Sequence, residues 1–371
     1  MERQFPVATM KNWAMASSLL IKGAILPVHE HVLIGTDHIA IAGSSVAFRW
    51  GMEESDAVPT WDPIAIPARD LERIVRVLPE NGTVHLSDSG VLRCGRSRFQ
   101  LPTLLGSEYP EASRQVPASW HSCQFADFDP VFSAVRSTVG IKDARMYLNG
   151  VHWVLVDNQL RLESSDGHRA TRVEVPVTGS LAIMQEHPAD SMDAILPLDP
   201  LLAWSKLVAH LKLESFSFSF GSGQFWLQAG PLRMMVSPIG ASYPDLQRVL
   251  PSAESRPHVF VCKGEELRAA LSMADVAVGQ DQRILWDIRQ QELRVCGRSE
   301  DRSAEDNIQV QWNGEDTEIS INGRYLRDMV DAFQKLEPEQ EDISFFLGES
   351  RMDSILVTTD TGKIVVMPIR N

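Results

Sequence analysis

Apolar positions recur along this chain with two alternating periods, and each third of the sequence repeats the same succession. Leu71, Ile74, Val75 and Leu78 fall at i, i+3, i+4 and i+7, as do Leu326, Met329, Val330 and Phe333. Leu201, Trp204, Val208 and Leu211 form a near-equivalent stripe between them. The spacing predicts one amphipathic helix in the second half of each third. Another helix is predicted to open each third, over residues 9–21, 130–138 and 265–276. Asp129-Pro130 and Asp199-Pro200 read as an N-cap followed by proline at the first helical position. After each second helix the period changes to two. Residues 83–86 turn through Asp88-Ser89-Gly90, residues 215–220 through Gly221-Ser222-Gly223, and residues 343–347 through Gly348. Phe216, Phe218 and Phe220 alternate with serines, as in a strand with one buried face.

A repeated linker supports duplicated modules. Gly106-Ser107-Glu108-Tyr109-Pro110-Glu111, with Arg114 and Pro117, recurs at constant offset as Gly240-Ala241-Ser242-Tyr243-Pro244-Asp245, with Arg248 and Pro251. Val236-Ser237-Pro238-Ile239 precedes the second copy, and Val366-Met367-Pro368-Ile369 closes the chain where a third linker would begin. The offset is far too long for a solenoid repeat. The chain reads as three α+β modules, 1–118, 119–254 and 255–371, each with two helices and several antiparallel strands.

Composition bounds the chemistry. The 371 residues are 44% hydrophobic and 23% charged, values of a globular chain. No apolar run reaches membrane-span length, and Glu2, Arg3 and Lys11 break any secretion-signal pattern, so a cytoplasmic protein is expected. Cys94, Cys123, Cys262 and Cys296 are widely spaced, which argues against structural zinc and a disulfide framework; no metal or cofactor is expected. The net charge of -14 weighs at first sight against nucleic acid. The predicted helices, however, sum to roughly +2, so acid is concentrated in strands and loops. Arg69, Arg73 and Arg76 share one helix face, Arg324 and Arg327 are similarly placed, and Lys11, Lys22, Lys142, Arg145 and Lys206 extend the set. Between the ends of the chain lies a second asymmetry. Arg93, Arg96 and Arg98 lie on a strand-like segment, residues 91–101, that also carries Phe99 and Leu101, whereas Glu300, Asp301, Glu305 and Asp306 cluster in the last third. Two chains meeting head to tail would pair these edges, and closed rings are one outcome.

Ser165-Asp166-Gly167-His168-Arg169 is the one place where hydroxyl, carboxylate, imidazole and guanidinium crowd together. Neighbouring side chains point apart and rarely converge on a nucleophile, so a turn or a binding rim is favoured over a hydrolase using Ser165, Asp166 and His168. No Gly-x-x-x-x-Gly-Lys phosphate loop is present.

Five segments in register resemble a known family: Tyr147-Leu148-Asn149-Gly150, the Ser165–Arg169 cluster, Tyr243-Pro244-Asp245 with Arg248-Val249-Leu250-Pro251, Gly95-Arg96-Ser97-Arg98-Phe99, and Val365-Val366-Met367-Pro368-Ile369-Arg370. The family is the bacterial DNA polymerase III beta subunit, the sliding clamp. The resemblance implies a non-catalytic processivity factor: a head-to-tail homodimer, a ring with helices lining the hole, holding duplex DNA without sequence recognition and loaded by an ATP-dependent partner. It also implies a hydrophobic cleft for peptides resembling Gln-Leu-x-Leu-Phe from the polymerase, clamp loader and repair proteins. By motif, the cleft comprises Tyr147, Leu148, Ser165, Gly167, His168, Arg169, Ala170, Pro244, Arg248, Val249, Val365, Val366, Met367, Pro368, Ile369 and Arg370, with Asn322, Tyr325, Met352 and Ser354 as further members. Where the family often carries Thr, Leu and a terminal apolar residue, this chain has Ser165, Ala170 and Asn371. A shifted peptide preference is therefore expected. A clamp-fold regulator that binds the same peptides without encircling DNA is the alternative.

Overall fold

The computed structural model describes residues 2–21, 26–43, 45–52, 61–110, 117, 120–156, 158–179, 192–221 and 223–370. Lys22, Glu111, Arg114, Ser222 and Asn371 lie outside them. By contact the chain forms two compact units: Met1–Phe125, Thr178–Asp190 and Leu196–Pro238 in one, Ala126–Val177, Ser191–Ile195 and Ile239–Asn371 in the other.

The first unit contains a four-stranded antiparallel sheet, ordered Glu2–Pro6, Thr83–Ser87, Val91–Cys94, Ser97–Gln100. Its larger sheet has ten strands and joins distant parts of the chain, because Val46–Gly51 pairs with Leu232–Val236. The helix Val7–Leu20 packs on both Ala68–Val77 and Leu198–His210. Leu71, Ile74, Val75 and Leu78 are buried as the periodicity requires, and Leu201, Trp204 and Val208 are too, while Leu211 is half-buried just past its helix.

In the second unit a nine-stranded sheet runs Asp193–Pro197, Gly150–Val156, Gln159–Ser165, Arg169–Pro176, Gly362–Val366, Ile355–Thr358, Asp342–Leu347, His258–Lys263, Gln311–Trp312. A four-stranded sheet, ordered Ser303–Gln309, Glu292–Arg298, Arg283–Arg289, Thr317–Asn322, accompanies it. The helices are Phe125–Arg136, Gly264–Asp275 and Gly323–Leu336; Leu326, Met329, Val330 and Phe333 from the last share one core with Trp286, Phe260 and Phe345.

Several sequence expectations need correction. The helix predicted at 130–138 begins at Phe125, so Asp129 is no N-cap and Pro130 is interior. Phe128 stacks on Phe132 at 5.4 Å and lies 5.6 Å from Trp153, and this burial draws the preceding turn into the helix despite the hydrogen bond Pro130 forfeits. Asp199 is not an N-cap either: the helix starts at Leu198, leaving Pro200 in a first turn where a missing N–H costs nothing. Residues 91–101 are a hairpin rather than one strand, with Arg93 opposite Arg98. The connection after Leu347 is the longer segment 348–354, not a tight turn. Extending the third helix also brings in Asp127 and Asp129, so the positive sum over the helices disappears.

Gly297 shows where packing tolerates no side chain. A Cβ there would lie 2.0 Å from the Ala274 carbonyl oxygen, on the helix that covers its strand. Backbone cannot yield as a side chain can, so Gly297→Ala is expected to cost about 2–3 kcal/mol, measured as a shift in the urea midpoint at constant slope. A midpoint shift equivalent to under half that would contradict the close approach.

Candidate functional site

Ser165–Arg169 closes the hairpin between Gln159–Ser165 and Arg169–Pro176. Asp166 Oδ1 accepts the backbone N–H groups of His168 at 2.9 Å and Arg169 at 3.1 Å. The Ser165 hydroxyl donates to the Arg169 carbonyl at 2.8 Å and accepts from the Gly167 N–H at 3.0 Å. Gly167 takes φ 88°, the left-handed region, and a Cβ there would meet Arg145 Nη2 at 2.8 Å. Turn geometry thus consumes the Ser165 hydroxyl and the Asp166 carboxylate, two of the groups that suggested catalysis. Ser165 spends its proton on a carbonyl, and the exposed His168 ring instead stacks on Tyr325, centroids 6.3 Å apart. The hydrolase reading is not favoured.

Arg169 is 7% exposed and tightly held. Its Nε donates to Asp166 Oδ2 at 2.9 Å, its Nη1 donates to Asp328 Oδ2 at 2.6 Å, and its guanidinium sits 4.2 Å from the Tyr325 ring centroid. Tyr325 is positioned in turn by Asn322, whose side chain caps the helix Gly323–Leu336 by accepting from the Arg324 and Tyr325 N–H groups. Burial raises the Tyr325 phenol, with Asp166 adding to the effect, so it stays neutral.

The C-terminal strand lies beside this turn. Arg169 pairs with Val366 and Ala170 with Val365; the Met367 N–H then donates to the His168 carbonyl at 2.8 Å, and the Ile369 N–H to the Ser320 carbonyl at 2.7 Å. Met367 is 38% exposed, Pro368 buried and Arg370 exposed. Ala170 and Val365 form a buried floor with Leu246, Leu250 and Leu356, and above it the linker presents Pro244, Arg248 and Val249 at the surface. Tyr147 reaches this linker edge-on at Tyr243, 6.3 Å away, while its neighbour Leu148 is buried. Met352 is exposed; Ser354 is buried and accepts from Arg256 Nη2 at 2.8 Å. Ser165 and Ser354 are therefore both buried and engaged in internal hydrogen bonds.

Beneath the linker runs a feature that the sequence reading missed. His152, Glu163, Arg172 and Lys363 are successive cross-strand partners on four adjacent strands. His152 Nδ1 lies 2.9 Å from Glu163 Oε2 and its Nε2 lies 2.8 Å from Asp193 Oδ1; Arg172 Nε donates to Glu163 Oε1. Burial pushes the Glu163 carboxyl up, but the His152 hydrogen bond and the Arg172 charge outweigh it and leave the group below the ordinary glutamate value. No local pattern marks such a row, since its members are far apart in sequence. Asp328 was missed for the same reason, being 159 positions from Arg169.

The other predicted residues fall on separate features. Arg69, Arg73 and Arg76 are exposed on Ala68–Val77, Lys206 on Leu198–His210, and Arg324 on Gly323–Leu336. Local carboxylates hold several cations: Lys11 with Glu80, Arg76 with Glu72, Arg327 with Asp275. Arg145 is bound to Asp143 and donates to the Asp166 carbonyl, which puts it at the rim of the 165–169 turn; Lys142 is exposed nearby in the chain. Arg98 and Phe99 lie on the edge strand Ser97–Gln100, flanked by Arg96 in the turn and the buried Leu101. Glu305 and Asp306 lie on the edge strand Ser303–Gln309, with Glu300 and Asp301 just before it. Among the described residues no group of three or more His, Cys, Asp or Glu could hold a metal, and no helix is long and apolar enough to cross a membrane.

Two family models match this chain: DNA polymerase III beta subunit, central domain, over residues 124–245, and DNA polymerase III beta subunit, C-terminal domain, over residues 247–370. The chain is 25% identical to the beta sliding clamp of Proteus mirabilis over 310 residues, covering 82% of this chain and 81% of that one. It is 24% identical to that of Pseudomonas putida over 373 residues, 98% of each. A sliding clamp structure from Pseudomonas aeruginosa superposes with TM-score 0.86 at 23% identity, and one from Bartonella birtlesii with 0.88 at 19%, each covering 100% of both chains.

Arg169 carries the clearest energetic prediction. Arg169→Met would leave Asp166 and Asp328 without their shared cation and remove the contact with Tyr325, at an expected cost of about 3 kcal/mol in urea unfolding. A loss below about 1 kcal/mol, the range of an exposed pair, would show that the guanidinium is not structurally required.

Proposed function

This chain belongs to the DNA polymerase III beta-subunit family and is a sliding clamp, a non-catalytic processivity factor of DNA replication; from that premise we propose how its residues do the work. The single observation that carries the function is the match to two successive domains of one family, which together take in most of the chain.

The protein acts as a head-to-tail homodimer of three-module chains, 1–118, 119–254 and 255–371, closed into a ring around duplex DNA. Two strand edges support this reading. Ser97–Gln100 and Ser303–Gln309 each end a four-stranded sheet, the first flanked by Arg96 and carrying Arg98 and Phe99, the second carrying Glu305 and Asp306 with Glu300 and Asp301 beside it. Pairing two such edges would satisfy their backbone groups, with Leu101 packing behind the first. The opposite charges would favour this partner over like pairing.

DNA meets a lining of scattered cations: Lys11, Lys22, Arg69, Arg73, Arg76, Lys142, Lys206, Arg324 and Arg327, with Arg145 at the cleft rim. Neighbouring carboxylates partly neutralise them, as in Lys11 with Glu80 and Arg327 with Asp275. A topological hold needs no tight phosphate contacts, and weak ones add little friction to sliding. The net charge of -14 is then compatible with a DNA partner.

The cleft takes a short apolar peptide resembling Gln-Leu-x-Leu-Phe from polymerase, clamp loader or repair proteins. Met367, Met352, Val249 and Pro244 offer adaptable apolar contact, while His168, Arg248, Asn322 and Arg370 offer polar contact to its backbone. The work is placed in the cytoplasm, at the nucleoid.

Loaded protein is expected to stay on nicked circular DNA and leave once the circle is linearised, in gel filtration of the loaded complex. Reversing Arg96 and Arg98 together to Glu should give monomers in sedimentation and abolish retention. Equal retention on both DNA forms would reject the ring, and a monomeric wild type with intact peptide binding would favour a regulator that does not encircle DNA.

Ala170 tunes peptide choice. Its methyl group sits in the floor with Leu246, Leu250 and Val365, so Ala170→Leu adds volume beneath the cleft and should change the affinity ranking of a set of motif peptides by about fivefold or more in fluorescence titrations. An unaltered ranking would sink the idea.

A further inference from the structure

The linker that carries Pro244, Arg248 and Val249 is fastened to the sheet along two parallel rows. One row is apolar: Ala170 and Val365, cross-strand partners, receive Leu246 and Leu250. The other lies two positions along the same strands and is polar. There the Tyr243 ring stacks on His152 at 4.5 Å and 18°, Gln247 Oε1 accepts from Arg172 Nη1 at 2.6 Å, and the Pro251 carbonyl accepts from Lys363 Nζ at 3.2 Å. Each member of the row therefore either touches the linker or, as Glu163 does, holds its neighbours in place.

His152 is the part of this row whose state can change. It is mostly buried, and each ring nitrogen faces a carboxylate, Glu163 on one side and Asp193 on the other. A neutral imidazole has one N–H, so it can satisfy only one of them; the cation donates to both. The titratable and charged groups around it are Glu163 from the next strand, Arg172 from the strand beyond, Asp193 from the strand on its other side, Tyr243 from the linker, and Tyr147 behind Tyr243.

We infer that the row His152–Glu163–Arg172–Lys363 is a clasp for the segment 243–251, with His152 as a protonation-dependent positioning residue that sets the linker wall of the peptide cleft. The doubly donating cation holds the ring flat beneath Tyr243. On losing its proton the ring turns a lone pair toward one carboxylate, and the stacked linker loosens. Peptide affinity is therefore lower with the neutral ring than with the cation. The functional half of this inference rests on the cleft reading above.

Two measurements test it separately from that reading. Hydrogen exchange at pH 6 is compared in wild type and His152→Gln, a variant that keeps an amide NH2 donor but carries no charge. Exchange over 243–251 should quicken about fivefold in the variant while 323–336 is unchanged. Fluorescence titration with a Gln-Leu-x-Leu-Phe peptide over a pH series then gives the ratio of variant to wild-type Kd, expected to fall from about five at the acid end toward one at the alkaline end. His168 is present in both proteins, so its contribution cancels in the ratio. Should His152→Gln fold poorly by circular dichroism, Gln247→Ala removes the exposed linker acceptor instead, and about threefold faster exchange over 243–251 is expected. Unchanged exchange in a folded variant overturns the clasp whatever the peptide does. Faster exchange with a Kd ratio that does not vary with pH overturns the role of His152 in the cleft. Absence of peptide binding by wild type removes the cleft reading and with it the functional half, leaving the exchange result to decide the clasp.

Discussion

The pairing of Arg169–Pro176 with Gly362–Val366 is the constraint on which the site depends. It joins strands nearly two hundred positions apart, and closing so long a loop costs entropy before any contact repays it. Repayment comes from several sources at once. Five residue pairs align in register, Val173 and Ile364 are buried, and the Met367 N–H continues the ladder onto the His168 carbonyl. Because the two strands are locked, the Asp166–Gly167 turn, the C-terminal Met367 and the Ala170–Val365 floor cannot move independently. A slip of the first strand by one residue would turn Ala170 away from Leu246 and Leu250 and present polar Thr171, now buried on the opposite face, in its place.

The same sheet carries charge in a way that cores usually avoid. Glu163, 4% exposed, would be costly alone; His152 and Arg172 on either side make it tolerable. Buried ion pairs seldom exceed well-packed apolar residues in stability, so the row is better understood as specifying position than as adding stability. The adjoining apolar row contributes the burial, and the polar row fixes where the linker lies. Arg169 follows the same logic on a smaller scale, spanning Asp166, Asp328 and the Tyr325 ring.

Charge elsewhere is arranged to be weak. Lys11, Arg76, Arg145 and Arg327 each have a carboxylate within 3 Å, which screens their field without removing it. A protein that relied on phosphate binding for affinity would gain from leaving them free. A protein that holds DNA by enclosure has no such need, and an acidic body then limits nonspecific association.

Much of the fold was legible in the sequence. The helix stripes at Leu71–Leu78 and Leu326–Phe333 and the Phe216–Phe218 alternation are local patterns set by the periods of helix and strand, and each appears close to where it was expected. Helix starts were less legible, because burial of Phe128 against Trp153 outweighed the proline signal at Pro130. The turn at Ser165–Arg169 was readable as a turn, since Asp and Gly encode it locally. Its partners were not: Asp328, His152 and Lys363 reach the site only through strand pairing and helix packing. The sequence by itself determined the helix stripes, the Phe216–Phe218 alternation and the Asp166–Gly167 turn, because those depend on neighbours within three or four residues. Only the tertiary structure decided which charges are neutralised, which hydroxyls are spent on turns and which strands the linker packs on, because those depend on atoms that long-range registration brings together.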